Sequence, residues 1–313
     1  MSNYKDILAT TELNDYKRQF VNAMHLRSND VANYRDGYNA LEGAYYVPAE
    51  SEKALRKAIA DKGVIRALST TLTNYDGGAK IWAAESEDRF AFVPEGGSLP
   101  SFDVADDFTR FAVERHKLAG LVKLASEFAY DVNFDIEKYL RNRMAKSFAL
   151  AEDAAFISGT GISEPFGLLH ETEGAETGVT TAELSYDDCI DLFFSVKPEY
   201  RSEAVWLMND RTALTLRKLK DEDGNYLWNS ANDTILGRPV RICNETPDIA
   251  SGAKPVLFGD LGYYWIVDRS PISVKTLKER FAKNDQIGYV GFEFLDARLV
   301  RTDAVKALAI SAE

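Results

Sequence analysis

The stretch from Asp131 to Leu169 constrains this chain more than any other, because it predicts one long helix followed by a glycine-punctuated turn. Ile136, Leu140, Met144 and Phe148 recur at every fourth position and Ala151 and Ala155 continue the stripe, so one face is apolar over roughly 25 residues. A helix over 131–157 would be about 40 Å long, more than twice the mean globular length, and would act as a spine against which other layers pack. Asp131 or Asn133 offers an N-cap, and Asp135 and Glu137 place negative charge in the first turn, where the helix dipole favours it. Gly159 is expected to end the helix in the left-handed conformation, and Pro165 to forbid its resumption before Gly167.

With 313 residues and 45% hydrophobic content, the chain can bury a sizeable core in one or two domains. It has no run of eighteen apolar residues, and its N-terminus, MSNYKDILATTEL, lacks the basic flank and apolar block of a signal peptide. A soluble chain with no membrane partner is expected. Cys189 and Cys243 are far apart and neither belongs to a C-x-x-C, so they read as two reduced core thiols. The formal charge of −12 argues against a sequence-reading grip on nucleic acid, which needs clustered Lys and Arg, but not against enclosing it loosely.

Residues 1–48 are polar, with a weak helical pattern in Leu13, Tyr16, Phe20, Val21 and Met24, and read as an arm ending in the extended piece EGAYYVP. Residues 49–78 lead onward with a helix over Ser51–Leu68, broken near Gly63. AKIWAA and DFTRFAVERHKLAGLVKLAS then suit strands, and the tip between them, Glu85 to Ala105, has aromatic groups but too much Gly and Pro to form a core of its own. A long hairpin over 79–116 follows. It either folds back on its own domain or rests on another chain, since an isolated hairpin is marginal in water.

Beyond the spine, Ser185 is expected to cap a helix to about Val196 with Ile190, Phe193 and Val196 on one face, ended by Pro198. A strand, VWLM, precedes a helix capped by Asn209 or Asp210 that runs through Leu214, Leu216 and Leu219. The last third is mostly strand: PVRIC, PVLFG, YYWIV, ISVKTL, IGYVGFEFLDARLV and AVKALAI. This order suggests a mixed sheet flanked by helices in an α+β fold.

Motifs for chemistry are missing from the sequence. Gly159-Thr160-Gly161 follows a helix, whereas a dinucleotide loop must follow a strand and open a helix. There is no Walker loop, no G-x-S-x-G and no H-E-x-x-H. His25, His116 and His170 share no metal-ligand spacing and read as ordinary solvated or capped histidines. Asp221, Asp223 and Gly224 resemble a calcium loop only briefly, because no glutamate stands at the twelfth position. Arg141, Arg143 and Lys146 read as a solvated face of the spine rather than a polyanion site. No catalytic residue, cofactor or metal is expected.

Several stretches in fixed order resemble the tailed-phage major capsid proteins of the Hong Kong 97-type fold: EGAYYVP, the hairpin with FVPEGG at its tip, HKLAGLVKLASEFAYD, the spine, and FISGTGISEPFGLL. The resemblance resumes in VWLMNDRTALTLRKLKDEDGNYLW, LGRPV, FGDLGYYWIV and GFEFLDARLVRTDAVKALAI. It implies a peripheral domain over 117–179 containing the spine, an axial domain over 180–277, and return strands over 278–313 that complete the peripheral domain. It implies further that the hairpin is an extended loop lying over a neighbouring subunit, with Trp82, Phe90, Phe92, Val93, Glu95, Leu99 and Phe102 as subunit contacts. Ile136, Leu140, Met144 and Phe148 would be the core face of the spine.

By the same resemblance the chain would form pentamers and hexamers with copies of itself in an icosahedral virion shell around double-stranded DNA, assembled in the host cytoplasm. Portal, scaffolding or maturation protease proteins, and a decoration protein, are the implied partners. Only about forty residues precede EGAYYVP, short for the scaffolding segment many relatives carry, so a separate scaffold or a short arm doing part of its work is expected. The covalent cross-link of the family's namesake is not expected. Asn284 matches its asparagine, but the tip 85–105 holds no lysine, Lys80 lies on the rising strand, and Gly291 stands where the glutamate should be, with Glu293 two residues away. An encapsulin-like compartment shell and an α/β enzyme remain as alternative classes, separated from a phage shell by packaged DNA, enzyme cargo, or a monomer with activity.

Overall fold

Two sheets, each with helices against it, make this an α+β chain, and one long helix runs from the core of the first towards that of the second. The computed structural model describes residues 4–75, 80–84, 92–94, 98, 108–131, 133–220, 223, 226–228 and 233–311. The chain opens with helices α1 (Tyr4–Thr11) and α2 (Asn14–Met24), two short strands β1 (Tyr38–Asn39) and β2 (Ala44–Tyr46), and helices α3 (Ala49–Ala60) and α4 (Ile65–Leu68). Strands β3 (Thr70–Thr73), β4 (Lys80–Ala84), β5 (Phe108–Ala112) and β6 (His116–Ala125) follow, then α5 (Ser126–Tyr130) and the spine α6 (Ile136–Ser158). The next part comprises β7 (Glu176–Thr181), α7 (Tyr186–Ser195), α8 (Pro198–Arg201), β8 (Val205–Met208), α9 (Asp210–Arg217), β9 (Thr234–Ile235), β10 (Arg238–Ile242) and β11 (Val256–Gly259). The chain finishes with β12 (Tyr264–Asp268), β13 (Ser273–Leu277), β14 (Gln286–Leu299) and β15 (Val305–Ile310).

Strand β14 is the axis of the first sheet. Along one side it pairs with β6 over ten residues, from Gln286 opposite Ala125 to Leu295 opposite His116. Along the other, β13 and β12 lie end to end, both antiparallel to it, and extend the sheet to β2 and β1 on one flank and to β3 on the other. The second sheet has the order β7-β15-β11-β8-β10-β9 and is mixed, with β7 parallel to β15 and β10 parallel to β8. The division expected at residue 277 is therefore not the one the sheets follow. Strands β12 and β13, inside 180–277, belong to the β14 sheet, whereas β15, inside 278–313, pairs with β11 and β7 of the other. Hydrogen-bond pairing crosses that sequence boundary in both directions, which no local pattern could reveal.

Helix α6 has 23 residues, about 35 Å at 1.5 Å per residue, and starts later than its pattern suggested. Asp135 is its N-cap, accepting from Lys138 N at 2.9 Å. Asp131 instead follows α5 and takes the N–H of Asn133 in a local turn, so its carboxylate is committed before the helix begins. The C-terminal stop also differs. Gly159 is extended, with φ −61° and ψ 142°, and a Cβ there would lie 2.1 Å from Pro165 O and 2.4 Å from Ala155 O. Glycine is needed for close approach, not for a left-handed turn. The returning chain then donates Leu168 N to Phe156 O at 2.7 Å and Leu169 N to Ile157 O at 2.9 Å, satisfying carbonyls that a helix end leaves open.

The first half of α6 buries Ile136, Leu140, Met144, Ala145, Phe148 and Ala149 against α2, α3, β13 and β14. The buried face then turns away from Ala151 and Ala155, which are only half-buried, onto Glu152, Asp153, Phe156 and Ile157. The segment expected as an arm joins this core: Tyr16, Phe20 and Met24 are buried, while Leu13 stays exposed. Their i, i+4, i+8 spacing gives α2 an apolar stripe, and the Tyr16 hydroxyl donates to Tyr46 O at 2.6 Å. A Cβ on Gly37 would meet the Tyr16 ring at 2.4 Å, so glycine lets the chain cross that ring.

In the second sheet's layer, Ser185 and Asp188 form a reciprocal capping box on α7, whose buried residues are Cys189 and Leu192. Ile190 and Phe193 are only half-buried, and α7 ends at Ser195, ahead of Pro198, which opens α8. Asn209 caps α9 by accepting from Thr212 N at 2.7 Å; Ala213 and Leu216 turn inward and Leu214 outward.

Candidate assembly surface

Strands β4 and β5 form an antiparallel hairpin, Lys80 opposite Ala112 to Ala84 opposite Phe108, and among the described strands they pair only with each other. Trp82 sits opposite Arg110, whose guanidinium lies 5.9 Å above the indole ring, and is 58% exposed. Phe92 is fully exposed and Val93 half-buried. Phe90, Glu95, Leu99 and Phe102 lie outside the described residues. Trp82 and Phe92 are thus large apolar side chains exposed to water on this subunit.

The hairpin's foot is fixed to β14. Glu114 N donates to Asp296 Oδ2 at 2.7 Å, and His116 Nε2 lies 3.5 Å from Asp296 Oδ1. Burial raises the Asp296 carboxyl above the usual range, against the opposing pull of the Glu114 N–H and His116. Arg115 stacks over Phe294 at 3.9 Å and Arg298 over Phe111 at 4.7 Å, while Val113 is buried between them in sequence. These contacts give the hairpin a defined exit direction from the β14 sheet.

Beneath the spine lies a cluster that the sequence reading missed. Arg66 on α4 pairs with Glu152 on α6 and with Asp268 on β12; Arg56 on α3 pairs with Glu52, Asp268 and Glu293 at 3.0, 2.8 and 3.1 Å. Two guanidinium groups face four carboxyls, and Glu293 is 0% exposed. Burial pushes Glu152 up to about 8, with the Glu293 charge adding to it and Arg66 opposing. Burial likewise raises Glu293 and Glu52 against their arginine partners. An excess of buried acids is accommodated by holding protons. Next to it, Asp153 accepts from Val64 N at 2.9 Å and Ile65 N at 3.0 Å, closing the start of α4. The only available signal was Glu152-Asp153 interrupting an apolar helix face.

The remaining predicted residues are dispersed. Ile136, Leu140, Met144 and Phe148 are all buried, and Asn284 is exposed on a single 3-10 turn, Ala282–Asn284. Glu293 is locked under the spine with Arg56 and Arg66, and Gly291 faces Phe148 and Met144. His25 and His116 are buried rather than solvated, His25 with Nδ1 2.9 Å from Ala129 O. Cys189 and Cys243 are free and buried. Among the described residues, no group of three His, Cys, Asp or Glu is placed to hold a metal ion. No described helix is long and apolar enough to cross a membrane.

Known proteins resemble this chain in sequence and in geometry. The model of the phage capsid family matches residues 43–310. The major capsid protein of Halomonas phage phiHAP-1 is 26% identical over 135 residues, which is 42% of this chain and 22% of that protein. The chain's match thus spans under a quarter of the length of that curated relative. Among solved structures, the capsid of an empty GTA particle superposes with a TM-score of 0.62 at 27% identity, covering 80% of this chain and 90% of that one. The Gordonia phage Cozz chain superposes with a TM-score of 0.57 at 15% identity, over 80% of this chain and 87% of that one, a likeness of fold. The α+β architecture is the capsid fold of these shells. A hairpin anchored at its foot on the β14 sheet, a long spine and two sheets make up this subunit, and the chain belongs to the phage capsid family.

Proposed function

We propose that the chain is the major capsid protein of a phage-type shell, assembling with copies of itself into the pentamers and hexamers of an icosahedral particle around double-stranded DNA. The observation that carries the reading is the β4–β5 hairpin, paired with no other described strand and presenting Trp82 and Phe92 to solvent, in a chain matched by the phage capsid family over 43–310. Heterologous contacts that close by rotation turn such a projecting element into rings rather than filaments.

In this reading the β14 sheet with the spine is the peripheral unit, and the β7–β15–β11–β8–β10–β9 sheet with α7 and α9 is the axial unit that meets at symmetry axes. Trp82, Phe90, Phe92, Val93, Glu95, Leu99 and Phe102 are the contacts of the extended loop. A portal, a scaffolding or protease partner and a decoration protein complete the particle, which assembles in the host cytoplasm. Deletion of residues 85–105 tests the reading: the expected subunit keeps its circular dichroism and melting temperature and no longer forms particles. A truncated chain that unfolds would place the tip in the subunit's own core and contradict the proposal.

A further inference from the structure

A cleft of about 490 Å³ opens beside the hairpin's foot, between α1, the 35–41 turn and the loop joining β12 to β13. Arg35, Arg115 and Arg269 all line it, and no Asp or Glu does. None of the three has a carboxylate partner within ion-pair distance among the described residues, in a chain whose formal charge is −12. Arg115 spends one face on the Phe294 ring. Arg269 gives one Nη to Asn74 O at 2.9 Å, and its Nε is buried without an acceptor. Burial, and then the charge of Arg115, make Arg269 less basic than usual, against the pull of Asp296, as expected where cations crowd without enough anions. Tyr38 and Tyr75 also line the cleft.

The chain also contains the complement. Residues 85–107, the hairpin tip, hold seven acidic side chains, among them Glu95, Asp103, Asp106 and Asp107, against a single arginine, Arg89. We propose that this arginine cleft receives the acidic hairpin tip of a second copy of the chain. The inference rests on the shell-forming reading and adds the landing place and its chemistry: guanidinium forks that pair with carboxylates of the incoming tip and fix the register of one subunit on the next. Such pairing accounts for three arginines kept together without carboxylate partners in an acidic protein. It also makes shell formation sensitive to salt.

Charge reversal tests it on the full-length chain. Arg35→Glu with Arg115→Glu, and separately Asp106→Lys with Asp107→Lys, are each expected to slow particle formation by about tenfold or more, and the four changes together to restore it to within about threefold of wild type. Assembly is followed by light scattering and electron microscopy, with melting temperature as the folding control. A second route avoids the risk that Arg115→Glu loosens the foot. An Arg35→Cys chain is mixed with an Asp106→Cys chain before assembly and oxidised, while Cys189 and Cys243 stay buried, their thiols pushed up to about 12 and about 11 by that burial. A disulfide dimer containing one of each chain supports the contact. A chain carrying both cysteines that closes its disulfide within the monomer shows the tip on its own cleft and overturns it, as does a cleft reversal that assembles normally but loses packaged DNA. Wild-type protein that forms no particles refutes the shell reading and this contact with it; shells that form equally well from the cleft variant refute this contact alone.

Discussion

Arg66 and Glu152 meet through two parallel charge-assisted hydrogen bonds, Nε to Oε2 at 2.7 Å and Nη2 to Oε1 at 2.6 Å, with both side chains almost sealed from water. The fork ties α4 to the spine, and the same guanidinium reaches Asp268 on β12 at 3.3 Å, so one side chain joins helix, helix and sheet. Arg66→Met leaves the carboxyls buried with one cation fewer, and a loss of about 3–5 kcal/mol of subunit stability is expected by urea unfolding. Arg66→Met with Glu152→Leu should recover part of that loss, because no orphaned acid remains at position 152.

The same cluster sets a pH dependence. Glu152 has its folded pKa raised to about 8 by burial, above the ordinary glutamate value that applies when unfolded. The folded state therefore binds the proton more tightly. The resulting stabilisation is fully present below the unfolded value, near 4.5, and is lost as pH rises through about 8. Glu293 and Glu52 shift in the same direction and add to the trend. Subunit stability is expected to fall between pH 5 and pH 8.5, at no more than about 1.4 kcal/mol per pH unit for each proton released. Glu152→Gln, neutral at every pH, should flatten the slope; a slope unchanged in that variant would assign the dependence to other groups.

Much of the spine was legible because helical periodicity is local: Ile136, Leu140, Met144 and Phe148 lie on one face and all are buried. Its ends were harder. Asp131, Asn133 and Asp135 are all competent caps, and the choice fell to Asp135 once a turn had claimed the Asp131 carboxylate. The turn of the buried face onto Glu152 and Asp153 could not be read, because the groups that make it tolerable are Arg66 and the N–H groups of Val64 and Ile65, more than eighty residues away. The weak pattern of α2 concealed a core element for a similar reason: Tyr16 is buried only because Gly37 and Tyr46, both distant in sequence, accommodate its ring and hydroxyl.

Gly291 offers a test of packing. A Cβ at that position would come 3.0 Å from the Phe148 ring and 3.3 Å from Met144 Sδ, so any side chain there must push the Phe148 ring and Met144 aside. Gly291→Glu, the residue a cross-linking relative would need by register, is expected to destabilise the subunit by about 3 kcal/mol or more by burying an unpaired carboxyl among apolar groups. Thermal melting of the unassembled chain measures this.

Particles should carry no covalent weld. Glu293 is occupied by Arg56 and Arg66 and cannot act as a base beside the exposed Asn284, and no lysine lies between residues 85 and 105. Boiling assembled particles in SDS is expected to release a single band at the chain mass of 34.9 kDa. A persistent ladder of multimers would show that another lysine and another base have been recruited.

The central claim is that this chain closes into shells by contacts of its own, and electron microscopy of the purified full-length protein tests it most directly. Closed, hollow particles whose class averages resolve five- and six-membered rings, with hairpins crossing from each subunit to the next, are the predicted result. A protein that stays monomeric or forms only open filaments, under conditions where it is folded and concentrated, would contradict the account.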